Sequence, residues 1–192
     1  MANTFARTPR AGRPQWTGMP SFGPFGSSDS ASSGFDDYDE YVESNIPESG
    51  PFLDAGDLLT GADHLAVHRL ARDLFEERGV YDMTFGYNLA KLNLDRRHPG
   101  AGYRYAEVGS VLRAEFTPTT EFCPQSEVLT KASFRAWNGL ADRHDYDRVE
   151  VAIAPMHHSA AAINDELASL AETFAETGTI PGDDASARSA PW

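Results

Sequence analysis

The side chains here best suited to nucleophilic or metal chemistry are one thiol and a few imidazoles. Cys123 is the only cysteine in 192 residues, and it lies within Phe116-Thr117-Pro118-Thr119-Thr120-Glu121-Phe122-Cys123-Pro124. An alternating run ends at Phe116 and a helical pattern follows. The spacing therefore predicts Cys123 on a strand-to-helix turn, with Pro124 opening the helix, a position where its missing N–H has no intrahelical partner to lose. The free N–H groups and dipole of a helix start favour negative charge and lower a thiol's pKa. His157 and His158 follow a later strand at a junction of the same kind. If the two strands are neighbours, thiol and imidazole meet. Such a pair has two chemistries, a stabilised thiolate for metal ligation or a nucleophile with histidine as base. A lone cysteine also packs as a small hydrophobe. His64 and His68 stand four apart, a spacing that suits metal ligation. With no acidic motif beside them, they read as exposed or capping histidines.

Several elements must position these groups. Val67, Leu70, Ala71, Leu74 and Phe75 recur with helical period over Asp63 to Arg78, with Thr60 or Asp63 to cap the start and Gly79 to stop it. Val80 to Leu89 alternates like a half-buried strand, with a bulge near Ala90. Arg96, Arg97 and His98 fall in a Pro/Gly-rich turn and form the densest positive spot, read as a solvated loop. Tyr103 to Phe116 is a second strand region, broken near Gly109. Leu112, Ala114 and Phe116 face one way, Arg113 and Glu115 the other. Glu127 to Leu140 is helical, with a stripe of Val128, Leu129, Ala132, Ala136, Trp137 and Leu140. Val149, Val151 and Ile153 mark another strand. Ser159 is placed to cap a last helix that ends near Gly178. The order α-β-β-α-β-α predicts a small two-layer α/β (α+β) domain, with helices packed on a small mixed sheet.

Composition narrows the setting. Gly, Pro and Ser fill 19 of the first 50 positions, and Asp36 to Tyr41 is acidic. Residues 1–50 are therefore expected to be a disordered, solubilising tail, residues 51–178 the domain, and 179–192 a second tail. The formal net charge is −13, with 14 Arg and only 2 Lys. No basic stripe suggests nucleic-acid binding. No apolar run approaches a membrane span, and the single cysteine fits a reducing, cytoplasmic interior. The acid excess suits a salt-filled, halophilic cytoplasm; a GC-rich genome would also favour Arg over Lys.

The motif Phe116-Thr117-Pro118-Thr119, followed four residues later by Cys123, resembles the signature of the cytosolic iron–sulfur assembly component 2 (MIP-eighteen) family. The Cys123-Pro124 pair is closer to that family's prokaryotic relatives, accessory proteins of the SUF system and of phenylacetate degradation. Val149 to Pro155, then histidine, then Ile163-Asn164 and Leu167, is similar to the eukaryotic branch. The resemblance spans roughly residues 108–170. The family's Asp-Pro-Glu motif is absent, and either His157 or His158 corresponds to its histidine. The resemblance implies an adaptor or carrier, not an enzyme, that helps mature apo iron–sulfur proteins. Cys123 would be its functional residue, with Thr117, Pro118, Thr119 and Pro124 shaping the turn. It further implies transient iron or an iron–sulfur cluster with Cys123, His157 and His158 as candidate ligands. Thiolate is the natural ligand of such iron, so a homodimer, a client or another assembly protein would complete the site. The rival expectations are a thiol enzyme with Cys123 as nucleophile, and a plain interaction module whose cysteine is structural.

Overall fold

A computed structural model describes residues 34–181; the tails expected over 1–33 and from 182 onward lie outside the described residues. In chain order the elements are β1 (Asp57–Leu58), α1 (Gly61–Arg78), β2 (Tyr81–Asp82), β3 (Tyr87–Asn88), β4 (Gly102–Val108), β5 (Val111–Thr117), α2 (Ser126–Gly139), β6 (Arg148–Ile153) and α3 (Ala160–Thr177). The main sheet runs β1-β4-β5-β6. β4 and β5 form an antiparallel hairpin with Tyr103 opposite Phe116 and Arg104 opposite Glu115. β6 lies parallel to β5 with Ile153 beside Phe116, and α2 is the crossover between them. This is the expected two-layer α+β domain with a mixed sheet.

The helix-facing layer follows the alternation of the strands. Tyr103, Tyr105, Leu112, Ala114, Phe116, Val149, Val151 and Ile153 enter one core with Leu74 and Phe75 of α1, Trp137 of α2, and Ile163 and Leu167 of α3. α1 stops at Gly79, whose φ of 68° closes the helix with a left-handed residue. Thr60 and Ser159 occupy the cap positions of α1 and α3 without side-chain cap bonds. Within α2 the stripe differs from expectation: Phe134 is buried and Val128 is exposed.

Three asparagines seal the sheet's open edges. Asn138 donates to the carbonyl of Val149 and accepts from its N–H. Asn164 does the same to Ile153, and Asn93 to Tyr103. Each amide side chain stands in for a missing strand at one residue.

The predicted strand over Val80 to Leu89 is instead the two-residue hairpin β2–β3 followed by a 3-10 turn, Leu89–Leu94. The cause is local. The Asp82 carboxylate accepts from the N–H groups of Thr84 and Phe85, and the Asn88 side chain accepts from Ala90, so short polar side chains bend the backbone out of extension. From α1 onward the main sheet still reads α-β-β-α-β-α, but both middle strands come from residues 102–117, and β1 is added before α1.

The second sheet face is covered by chain that was expected to be disordered. Residues 34–56 form a strap across it. The Asp36 N–H bonds Leu94 O, the Asp36 carboxylate accepts from Asn45, and Arg96 pairs with Asp36 at 3.6 Å. Gly50 N–H reaches Glu115, and Arg113 donates to Phe52 O beneath the Phe52 ring. The ordered chain thus begins well before residue 51. Polar tethers and a few aromatic anchors hold the strap, without the apolar period that sequence reading detects. Arg97 is exposed, as expected of the loop, but it is paired: it binds the buried Asp95 at 2.6 Å. Burial pushes the Asp95 carboxyl up, but the Arg97 guanidinium and N–H and the Tyr87 hydroxyl outweigh it and hold the pKa at about 2.

Candidate functional site

The parallel pairing of β5 and β6 brings the chain that leaves both strands to one edge of the sheet. Ala154 N–H bonds Phe116 O just past the last strand pair. From there the loop through Pro118 to Gln125 lies against the loop through Pro155 to Ser159. The contact between the Cys123 and His157/His158 junctions, conditional in the sequence, is present.

The contact is made through backbone. His157 is buried, and its Nε2 lies 3.1 Å from the carbonyl of Cys123. A carbonyl only accepts, so Nε2 carries the proton. Its Nδ1 accepts from the N–H of Ser159 at 3.2 Å. Both ring nitrogens are committed, so His157 is a clamp between the loops and no free ligand or base. His158 is exposed. Its Nδ1 donates to the Glu121 carbonyl at 2.9 Å, and its own N–H bonds the same oxygen at 3.0 Å. These bonds leave Nε2 of His158 as the donor atom this junction can still offer.

Pro124 does not open the helix. α2 begins at Ser126, and Cys123 through Ser126 form a turn closed by Ser126 N–H on Cys123 O. Cys123 is half-buried, one turn before the helix. The helix-start position expected for Cys123 is therefore not the one it holds. Thr117 ends β5, Pro118 is buried under the turn, Thr119 is half-buried and Pro124 is exposed.

Exposed Phe122 and Pro124 flank Cys123, among exposed Thr120, Glu121 and Glu127. Among the described residues the large exposed hydrophobic ones are Leu58, Met83, Phe122, Val128 and Met156, and of these Phe122, Val128 and Met83 belong to the Cys123 loop, the first turn of α2 and the turn bonded to Gln125. Phe122 precedes Cys123 and packs its ring on His158 at 5.2 Å. Met83 is tied to the α2 start because its N–H bonds the Gln125 side chain at 3.2 Å, and Gln125 also donates to Thr84. Val128 lies on the first turn of α2, and Met156 in the loop after β6. Sequence reading assigned Val128 to the core and Met83 to a strand. The signal it lacked was the Gln125 bond, which fastens a distant turn to this edge.

His64 and His68 share one face of α1, as their spacing required, but they are buried rather than exposed or capping. Their rings stack at 5.6 Å. His68 is bonded by both nitrogens, to Tyr105 and to the Ala90 carbonyl. Burial lowers the His64 pKa to about 3, aided by His68 and Arg104. Burial lowers that of His68 to about 4; the Ala90 carbonyl opposes the shift and Arg72 adds to it. Both are neutral packing groups at pH 7.

Among the described residues, no group of three or more His, Cys, Asp or Glu side chains is placed to hold a metal ion. No described helix is long and apolar enough to cross a membrane. In comparisons with known proteins, no curated protein and no solved structure matches the chain. One family model matches residues 33–181, which takes in the strap, the sheet and all three helices. That span is more than three quarters of the chain, and the chain belongs to this family, described as a domain of unknown function, DUF7998.

Proposed function

We propose that this domain is an accessory of iron–sulfur protein maturation, an adaptor that presents Cys123 at a docking edge. The observation that carries the reading is the half-buried Cys123 on a loop fastened to the His157/His158 loop, with exposed Phe122 beside it on the His158 ring and exposed Val128 on the first turn of the helix that follows. The resemblance of the Phe116-to-Cys123 motif to cluster-assembly accessories supplies the class of partner: apo iron–sulfur clients or other assembly proteins.

A resident cluster does not fit one copy of the chain. Cys123 offers one thiolate, His157 has no free nitrogen, and only Nε2 of His158 remains. Iron or a cluster is therefore cargo, and its other ligands come from a partner or from a second copy in a homodimer. The nucleophile reading is less well supported, because the bonds of both rings run to backbone groups, His157 to the Cys123 carbonyl and His158 to that of Glu121, and neither runs to the thiol. The adaptor reading asks neither to move a proton.

The test is anaerobic co-purification of the tagged full chain, with iron and sulfide measured in the eluate. Wild type should recover iron–sulfur proteins or their assembly factors. Phe122→Asp should lose the partners. Cys123→Ser should keep its melting temperature and lose the iron and sulfide. Partners unrelated to iron–sulfur chemistry would sink the proposal. Recovery of the same partners and the same iron by Cys123→Ser would reduce the thiol to packing and leave a plain interaction module.

A further inference from the structure

Arg104 and Glu115 have no part in the Cys123 edge. They are direct partners across β4 and β5, on the face that the strap covers. Opposed charges at such positions ordinarily attract and pair, and a buried charge left alone is costly. Here each turns to the strap instead. Arg104 is 6% exposed, donates from Nη1 to the Tyr41 hydroxyl at 3.0 Å, and has no protein partner for Nε. Glu115 is 1% exposed, accepts from Gly50 N–H at 2.7 Å through Oε1, and has no protein partner for Oε2. Burial raises the Glu115 pKa, with the Gly50 N–H opposing it and Asp54 adding to it.

Both residues line one cavity of ≈1000 Å³. β4 and β5 form its floor, the strap from Glu43 to Pro51 its roof, and Ala154 to Met156 its end wall. This volume is at the upper end of small-molecule sites, roughly 300–1,000 Å³. Buried polar atoms are nearly always satisfied, and the two orphaned atoms specify what would satisfy them. A guanidinium only donates and a carboxylate only accepts. The occupant must present an acceptor to Arg104 and, beside it, a donor to Glu115. Glu43 and Glu48 add negative charge to the wall, where Arg104 is the one cation, so the occupant carries net positive charge.

We propose that this cavity binds a free basic α-amino acid, with its carboxylate on Arg104 Nε, its ammonium on Glu115 Oε2 and its side-chain cation toward Glu43 and Glu48. The strap is then a ligand-contacting roof. Water can satisfy the same atoms, and the experiment separates the two.

The full chain is titrated calorimetrically with L-arginine and L-lysine, with L-glutamate as the charge-reversed control. The Gly50 amide is followed by NMR in parallel. Saturable binding of at least one basic amino acid is expected, with a moving Gly50 resonance and no saturation by glutamate. Glu115→Gln keeps the volume and an acceptor for Gly50, and should weaken binding at least tenfold. Should that variant fail to fold, the wild-type Gly50 resonance still decides. Absence of saturable binding, binding that leaves Gly50 unmoved, equal affinity for glutamate, or full affinity in a folded Glu115→Gln each overturns the proposal and leaves a water-filled cavity.

Discussion

On one face of the sheet, Tyr103, Leu112, Phe116, Val151 and Ile153 meet three helices in an apolar core; on the other, Arg104, Arg113 and Glu115 meet a strap whose one regular turn is the 3-10 helix Glu43–Asn45. The first face is held by volume and area. The second is held by directional bonds between groups far apart in sequence. Burial is nearly as complete at Glu115 as at Phe116, so exposure alone does not distinguish them. What distinguishes them is which perturbation each one feels.

The largest expected effect belongs to the helix face. Trp137 is fully buried and touches Phe75 and Tyr105 edge-on. Trp137→Ala should cost about 3–5 kcal/mol in urea unfolding. A loss below about 1 kcal/mol would mean that the helix face is not the dominant core.

Acid should separate the faces by sign. His64 and His68 have folded pKa values of about 3 and about 4, below the ordinary 6.5. Unfolded chain binds more protons than folded chain between those values, so the stability they lend is complete above pH 6.5 and is lost as pH falls toward 4. At about 1.36 kcal/mol per pKa unit, His68 alone accounts for roughly 3 kcal/mol. Glu115 runs the other way: its folded pKa is raised, so its burial costs stability that returns as pH falls through that value. A His68→Asn chain should have a flatter unfolding profile from pH 6.5 to 4. An unchanged slope would break the assignment.

On the strap face, the closest approach is at Gly50. A Cβ there would lie 2.5–2.8 Å from the buried Glu115 carboxylate, which is held by its bond from the Gly50 N–H. Gly50→Ala should cost about 1–3 kcal/mol by overpacking, and Glu115→Gln should not rescue it, because the volume is the same. Rescue by Glu115→Ala would confirm that the clash is local. The smallest expected effect is that of salt. Raising it from 0.1 M to 1 M shortens the Debye length from about 10 Å to about 3 Å. With a net charge of −13, the melting temperature should rise over that range, and equally in Trp137→Ala, since the apolar core is not involved.

The same contrast explains what was legible in the sequence. Leu112, Ala114 and Phe116 alternate because a regular strand meets a regular layer, and period finds such a face. Asp82 and Asn88 sit in an alternating run too, yet their side chains capture backbone N–H groups and turn the chain, which no period records. The sequence pointed to a meeting of Cys123 with His157 or His158 if their strands were neighbours, and His157 meets the carbonyl of Cys123. Their meeting through a carbonyl depends on tautomer and loop path, which residue type does not specify. Pro124 is compatible with a helix start but here belongs to the turn before one. The strap was unreadable because Gly50, Asn45 and Tyr41 act one at a time, each on a partner in another element.

The three asparagine clamps also bear on how copies of this chain can associate. An open strand edge is a template for another strand, and proteins blunt such edges to avoid fibrils and domain exchange. Here β1 covers only two positions of β4, while Asn93 occupies Tyr103, and Asn138 and Asn164 occupy Val149 and Ile153 on β6. Only the short stretch around Val151 separates the two clamps on β6, too little to register an incoming strand. The clamps thus work against a continuous sheet across two copies, and favour association through side chains over association through strand edges.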